Sequence, residues 1–468
     1  MLLPVPALRA GEERTSRDTR VLLGVTGEPL ATVHEVPALL ARLTVKNMRQ
    51  APETDAAELL PVLAEAGRLF AKATLGGQTP EEYCRLQALA SGVPVAVARG
   101  VLERVARDTE SLGEAVRHQV PAGAGTTARW VRRGQVLSVI APSNHPGTHG
   151  AWLQAIAMGY RVAVRPGGRD PFTPLRLVHA LLTAGLHPDR VSLLPGGHAA
   201  ADALTEAGDL ALVYGGEDTV ARLRGNDRVL VRGPGRSKIL VDTEVDEAVL
   251  DHLVAEIAGD GGVRCTNTTA VLTTGDHRLL AERLAERLAA LPAHPVTDPR
   301  AVLPVRPRAE AEALRAAAAR AAGTAPDLVA AHPGEPLVPV GGEAVALRPA
   351  VFLLDRADHP ALATELPFPC AWVAPWREAD GMAALDDSLV LGLLTEDASL
   401  VERALAMPGV RTVVHGPVAQ WWLDPYLPHD GYLGQFLNCR QSRLHARLHG
   451  GEQRLRLAPD ARGEQLVL

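Results

Sequence analysis

Two apolar runs open the regular part of the chain. In RVLLGVTGEPLATVHEVP, beginning at Arg20, they flank a Gly- and Pro-containing turn at residues 27–29, which predicts strand, turn, strand. From 37 to 107 the period changes. Leu39, Leu40 and Leu43, then Leu59, Leu60 and Leu63, recur at three- and four-residue spacing, the signature of amphipathic helices. The stretch that follows is more regular. VLSVIAP, RVAVRP, RVSLLPG, LALVYGG and RVLVRG are short β-branched runs, each ending in Pro or Gly. Helical patterns separate the first four, at 148–158, 171–184 and 198–207, and a shorter one fills 217–225. Strands that alternate with helices predict a parallel, doubly wound sheet, because parallel neighbours need crossover connections. Such sheets bind ligands at the carboxyl ends of their strands, where Asn144, Arg165, Gly196 and Gly215 fall. A second βα series starts at KILVDT (Lys238), continues through 270–274, and includes helices around 279–291 and 309–322. The Pro-rich interval 292–307 reads as a connection. The tail alternates as RLHARLHGGEQRLRL, the pattern of an exposed strand that another chain would cover.

Composition narrows the class. The chain has 468 residues, 47% hydrophobic and 22% charged, enough apolar surface for packed cores rather than disorder. Its net charge of −6 offers no global field for nucleic acid or anionic lipid. The longest uncharged stretch, 134–160, is broken by Pro142, Asn144, His145 and Pro146, which argues against a membrane span. Four widely spaced cysteines form neither a disulfide framework nor a zinc ribbon, so a reduced, cytoplasmic, multidomain enzyme is expected. Lys46, Lys72 and Lys238 are the only lysines, so an Arg in a binding position can reflect composition as well as chemistry.

Candidate chemistry is concentrated in a few segments. Cys265 sits in GDGGVRCTNTT, where glycines allow close backbone approach and Arg264 favours thiolate. A free thiol, of pKa about 8.5, needs such help to act as a nucleophile near neutral pH. Asn144, in VIAPSNHPG, can donate to an oxyanion or cap the helix that follows. HPGTH and HARLH have metal-like histidine spacing but lack the Glu of H-E-x-x-H, so no metal site is expected. GPGRSK is neither a dinucleotide fingerprint nor a P-loop.

In order and spacing, these pieces resemble the aldehyde dehydrogenase superfamily over roughly residues 20–440. The resemblance implies an α/β fold with a Rossmann-type cofactor domain (1–112 and 133–235), an α/β catalytic domain (236–430) and small β elements for oligomerisation (113–132 and 440–468). VLSVIAPSNHP is similar to the segment that carries the oxyanion Asn, here Asn144, with Ala141, Pro142 and Ser143 lining the cofactor. RVAVRPGGRDP is similar to the adenosine-ribose segment, which assigns Arg165, Gly168 and Arg169. RVSLLPGG and VYGGEDTV supply Gly196, Gly215 and Gly216. GGVRCTN carries the nucleophile, Cys265. ATELPFPCAWV assigns Glu365 to the nicotinamide ribose, with Phe368 nearby.

Departures from the pattern refine what it implies. Hydrolytic members place a Glu general base where Arg232 stands here, and a guanidinium is no base near neutral pH. The late P-F-G-G segment is replaced by GYLGQFLNC. These changes resemble the acyl-thioester-reducing branch, which includes bioluminescence fatty-acid reductases and subunits of aryl carboxylate reductases in antibiotic pathways. The expected activity is therefore NAD(P)H-dependent reduction of an acyl thioester or acyl adenylate to an aldehyde through a Cys265 acyl-enzyme. Alternatives are an aldehyde dehydrogenase that oxidises to the acid, and a non-catalytic scaffold subunit. A homo-oligomer and an acid-activating ligase partner are expected. Gly168, where NAD-preferring relatives carry Glu, together with Arg165 and Arg169, points to NADP, with NAD as the alternative.

Overall fold

The computed structural model describes residues 2–120, 128–420, 428 and 430–442. Five parallel strands form the heart of the first sheet, in the spatial order Val229–Arg232, Leu210–Tyr214, Val136–Ile140, Arg161–Arg165, Val191–Leu193. These are the five β-branched runs read from the sequence. Ala7–Arg9 and Glu12–Arg14 extend the far edge antiparallel. The chain runs outward from Val136–Ile140 to Val191–Leu193, then returns to place Leu210–Tyr214 on its other side. The reversal opens a crevice at the carboxyl ends of those two central strands, where doubly wound sheets take ligands.

The predicted hairpin is present. Thr19–Leu23 pairs antiparallel with Pro29–His34, which pairs in turn with Leu3–Val5. Helices Ala38–Met48, Ala56–Lys72, Pro80–Ser91 and Val95–Glu110 fill the region of three- and four-residue leucine spacing. Thr79 and Glu82 form a reciprocal capping box at the start of Pro80–Ser91.

The second sheet has six parallel strands, in the order Ala350–Leu353, Cys370–Pro375, Thr268–Thr273, Ser237–Asp242, Ser388–Thr395, Val410–His415. Its central strands are buried on both faces, which is why they read as continuous apolar runs. Helix His277–Ala289 covers one face and is capped by Asp276, whose carboxylate accepts from the backbone of Arg278 and Leu279. A small antiparallel sheet (Val305–Pro307, Ala344–Leu347, Leu337–Gly341) connects the two halves.

The interval 113–132, expected to supply strands, differs in its first part. Leu112–His118 is a helix, because Leu112 and Ala115 turn inward together at helical spacing. Among the described residues of the interval, Ala128–Arg132 is extended, paired antiparallel with Asn438–Ser442. Residues 121–127 and 443–468, with the HARLH motif, lie outside the described residues. No helix among the described residues is long and apolar enough to cross a membrane.

Candidate active site

Cys265 lies in the loop between helix Glu247–Ala258 and strand Thr268–Thr273. The glycines before it are needed by geometry. Gly261 and Gly262 both have positive φ (78° and 67°), and a Cβ on Gly262 would come within 2.5 Å of the Pro369 nitrogen. Across from the loop, a side chain on Gly235 would collide with the Cys265 carbonyl, so the GPGRSK segment presses directly on the thiol's own backbone. Ser237 Oγ donates to that carbonyl at 3.0 Å.

Asn267, which the sequence reading did not single out, stitches the loop together. Its Oδ1 accepts from Arg264 N–H (2.8 Å), and its Nδ2 donates to the carbonyls of Glu256 (2.8 Å) and Gly259 (3.0 Å). Asn144 reaches the same loop from the crevice and donates through Nδ2 to the Val263 carbonyl at 2.9 Å. Of the two roles open to Asn144, capping is excluded. The cap of the turn Pro146–His149 is His145, whose Nδ1 accepts from Gly147 N–H. The other His145 nitrogen lies 3.0 Å from Asp260 Oδ2. Burial would raise the Asp260 pKa, but that hydrogen bond, with the charges of His145 and Arg264, holds it at about 2. His149 accepts from Trp152 Nε1.

A cavity of about 210 Å³ opens over the half-buried thiol, lined among others by Asn144, Thr148, Tyr214, Arg104 and Asp430. Burial, reinforced by the carboxylates of Glu365 and Asp430, pushes the Cys265 thiol up to about 12, with Arg232 opposing. Arg232 ends the edge strand of the first sheet. It is ion-paired to Asp430 at 2.7 Å and also donates to the Asp430 backbone carbonyl. Glu365 Oε2 accepts from Gly235 N–H (2.7 Å) and Arg236 N–H (2.8 Å), and burial raises its pKa to about 7.

This charge balance is testable. Above pH 7 Glu365 is an anion and opposes thiolate formation; below pH 7 it is neutral and the opposition is relieved. Glu365→Gln should therefore lower the Cys265 pKa and speed its alkylation by iodoacetamide at pH 8, roughly tenfold for each unit of pKa lost. An alkylation pH profile identical to wild type would contradict the coupling.

Several glycines leave the crevice open. A Cβ on Gly168, Gly197 or Gly216 would project into open space, whereas one on Gly167 would collide with the Pro142 carbonyl. Helix His198–Ala207 begins at Gly197 with no side chain on its first-turn N–H groups, which leaves them for an anion. Ala141 is buried and donates its N–H to the Arg165 carbonyl, and Ser143 Oγ accepts from Arg169 N–H at 3.1 Å. Arg165 Nε donates to the Gly196 carbonyl at 2.8 Å. Gly215 packs against Thr219, and Gly216 starts the helix Glu217–Leu223.

Two expected cofactor contacts stand elsewhere. The Arg169 guanidinium is clamped bidentately by Glu310 (2.9 and 2.5 Å), so it is already spent. Phe368 is buried in the catalytic-half core, with Arg315 5.9 Å over its ring, because an apolar ring gains more from that core than from the wet crevice.

Residues 12–404 match the aldehyde dehydrogenase family. The chain belongs to the aldehyde dehydrogenase family. Its fold is shared with an NAD-dependent aldehyde dehydrogenase from Sinorhizobium meliloti, at a TM-score of 0.79 and 19% identity, with 95% of each chain covered. Curated relatives are more distant in coverage. Malonate-semialdehyde dehydrogenase 1 of Geobacillus kaustophilus is 26% identical over 163 residues, 32% of this chain and 33% of that one. A probable methylmalonate-semialdehyde/malonate-semialdehyde dehydrogenase [acylating] of Drosophila melanogaster is 24% identical over 272 residues, 56% of this chain and 47% of that one. The chain thus spans a third to a half of the length of these curated relatives.

Proposed function

We propose that this aldehyde dehydrogenase family member oxidises a small carboxylated aldehyde with NAD(P)⁺ and passes the acyl group from Cys265 to a thiol rather than to water. The observation that carries this reading is Arg232, ion-paired to Asp430 in the place of a general base. Direction is drawn from the relatives. Both curated proteins above are semialdehyde dehydrogenases by name, and one is acylating, which favours oxidation over the acyl reduction expected from sequence. That reduction is the same chemistry run backwards. Nothing in the comparisons speaks for a ligase partner or an antibiotic pathway.

The substrate class follows from the cavity. At about 210 Å³ it suits a short acyl group, and Tyr214 stands in its lining. Arg104, on Val95–Glu110, lines the cavity and makes no ion pair with another of the described residues, which leaves a guanidinium for a substrate carboxylate.

In this reading the Cys265 sulfur adds to the aldehyde carbon. The carbonyl oxygen, taking on negative charge, accepts from the second Nδ2 hydrogen of Asn144 and from Cys265 N–H. A bound nicotinamide supplies the hydride acceptor. Loss of hydride from the acyl carbon turns the thiohemiacetal into a thioester, and an incoming thiol displaces Cys265 as thiolate. The Ala141–Ser143 turn, Arg165, Gly168, Gly196 and Gly216 would hold the dinucleotide, with Glu365 Oε1 toward its ribose.

Hydrolysis to free acid is the second reading, favoured by Glu365, whose carboxyl pKa burial raises to about 7, a value that suits a general base. The test compares malonate semialdehyde with a neutral aldehyde of equal size, with and without coenzyme A, in the presence of NAD⁺ or NADP⁺. Acyl transfer predicts steady NAD(P)H formation only with the thiol, faster by about tenfold or more, since water lacks a base to activate it, and a preference for the carboxylated aldehyde. Steady formation of free acid without a thiol would establish hydrolysis instead.

A further inference from the structure

The rim of the cofactor crevice carries a charge cluster that the sequence reading did not assemble. The N-terminal hairpin docks against the turn after Val191–Leu193. Val36 N–H donates to the Pro195 carbonyl at 2.7 Å, and a side chain on Gly196 would meet the Val36 carbonyl at 3.0 Å. This docking brings Arg20, on Thr19–Leu23, beside Gly168: Arg20 Nη2 donates to the Gly168 carbonyl at 3.2 Å. Among the described residues the cluster has one carboxylate, Glu35, whose Oε1 lies 3.3 Å from Arg20 Nε.

Arg165 is the second cation of the cluster. Its Nε is used on the Gly196 carbonyl, and its charge is disfavoured first by burial and then by the nearby Arg20, with Glu35 compensating in part. Two guanidiniums therefore share a single carboxylate at the point where Gly168 leaves open space. Arg20 and Glu35 meet through a single long contact of 3.3 Å, which a stronger anion displaces more readily than the bidentate Arg169–Glu310 pair at 2.9 and 2.5 Å. Arg169, the other candidate from sequence, is closed off by Glu310.

We propose that Arg20, acting with Arg165, binds the 2′-phosphate of NADP, and that this hairpin residue sets the cofactor preference. The inference rests on the nicotinamide-dependent reading above. A phosphate of nearly two negative charges outcompetes Glu35 for Arg20, and a guanidinium can grip it through two N–H groups. Gly168 contributes by having neither bulk nor charge in the way.

The test is equilibrium binding of NADP⁺ and NAD⁺ to the full chain without substrate, followed by titration calorimetry, so that catalysis does not enter the readout. Wild type should bind NADP⁺ more tightly than NAD⁺ at low salt. Arg20→Gln should lose about tenfold in affinity for NADP⁺ and almost none for NAD⁺, because only one charged phosphate contact is removed. Glu35→Gln should strengthen NADP⁺ binding, and Arg169→Ala should leave the ratio of the two affinities unchanged. An Arg20→Gln variant that keeps the wild-type ratio, or loses affinity for both cofactors alike, would overturn the proposal; so would equal binding by wild type. If neither cofactor binds, the nicotinamide-dependent reading itself fails, a result distinct from a lost preference.

Discussion

Cys265→Ala should lose turnover by about 10⁴–10⁶-fold, the scale seen when a covalent nucleophile is removed. The loop is built around that sulfur. Positive-φ glycines shape the approach, Asn267 ties the turn, and Gly235 and Ser237 hold the Cys265 carbonyl, so truncating the side chain leaves the frame in place. Alanine at Cys84, Cys370 or Cys439 should leave most of the activity: the first two are buried in cores and the third is exposed on the Asn438–Ser442 strand. Steady-state rates for the four variants decide this, and near-wild-type activity in Cys265→Ala would reject a thioester mechanism. A residual rate is not expected from another thiol, because Cys84 and Cys370 are buried and do not line the cavity.

Asn144→Ala should cost about 10²–10³ in kcat, or roughly 3–4 kcal/mol, the measured scale for one oxyanion donor. KM should change little, since the donor matters once charge builds on the oxygen. The structure separates this from a folding effect. Asn144 caps no helix, and among the described residues its side chain hydrogen-bonds the Val263 carbonyl alone. The melting temperature should therefore move by a few degrees at most, as for the loss of a single hydrogen bond. A loss of activity below threefold, or a large fall in melting temperature, would reduce Asn144 to a structural tie.

What the sequence made legible was local. The five β-branched runs became the five parallel strands, each ending where a Gly or Pro turn starts; the four inner ones are buried on both faces and so must be apolar, while the edge strand Val229–Arg232 is half-buried. Cys265 stood out for the same reason: GDGG records the positive-φ backbone at Asp260, Gly261 and Gly262. The misses are contacts made over long separations. Arg232 and Asp430 are 198 residues apart, Arg20 and Gly168 are 148, and Arg169 and Glu310 are 141. An arginine's partner decides whether it is a free cation or a neutralised one, and no periodicity or motif carries that information. The helix at Leu112–His118 was hidden by its shortness, two turns in a stretch read for its resemblance rather than its spacing.

The central claim is a Cys265 thioester that water does not discharge. Its most direct measurement is the intact mass of the protein after mixing with malonate semialdehyde and NAD⁺ or NADP⁺ in the absence of any thiol. The account predicts an added acyl mass that maps to Cys265, persists, and leaves as a thioester when coenzyme A is supplied. Free acid accumulating over many turnovers while the protein keeps its unmodified mass would contradict it.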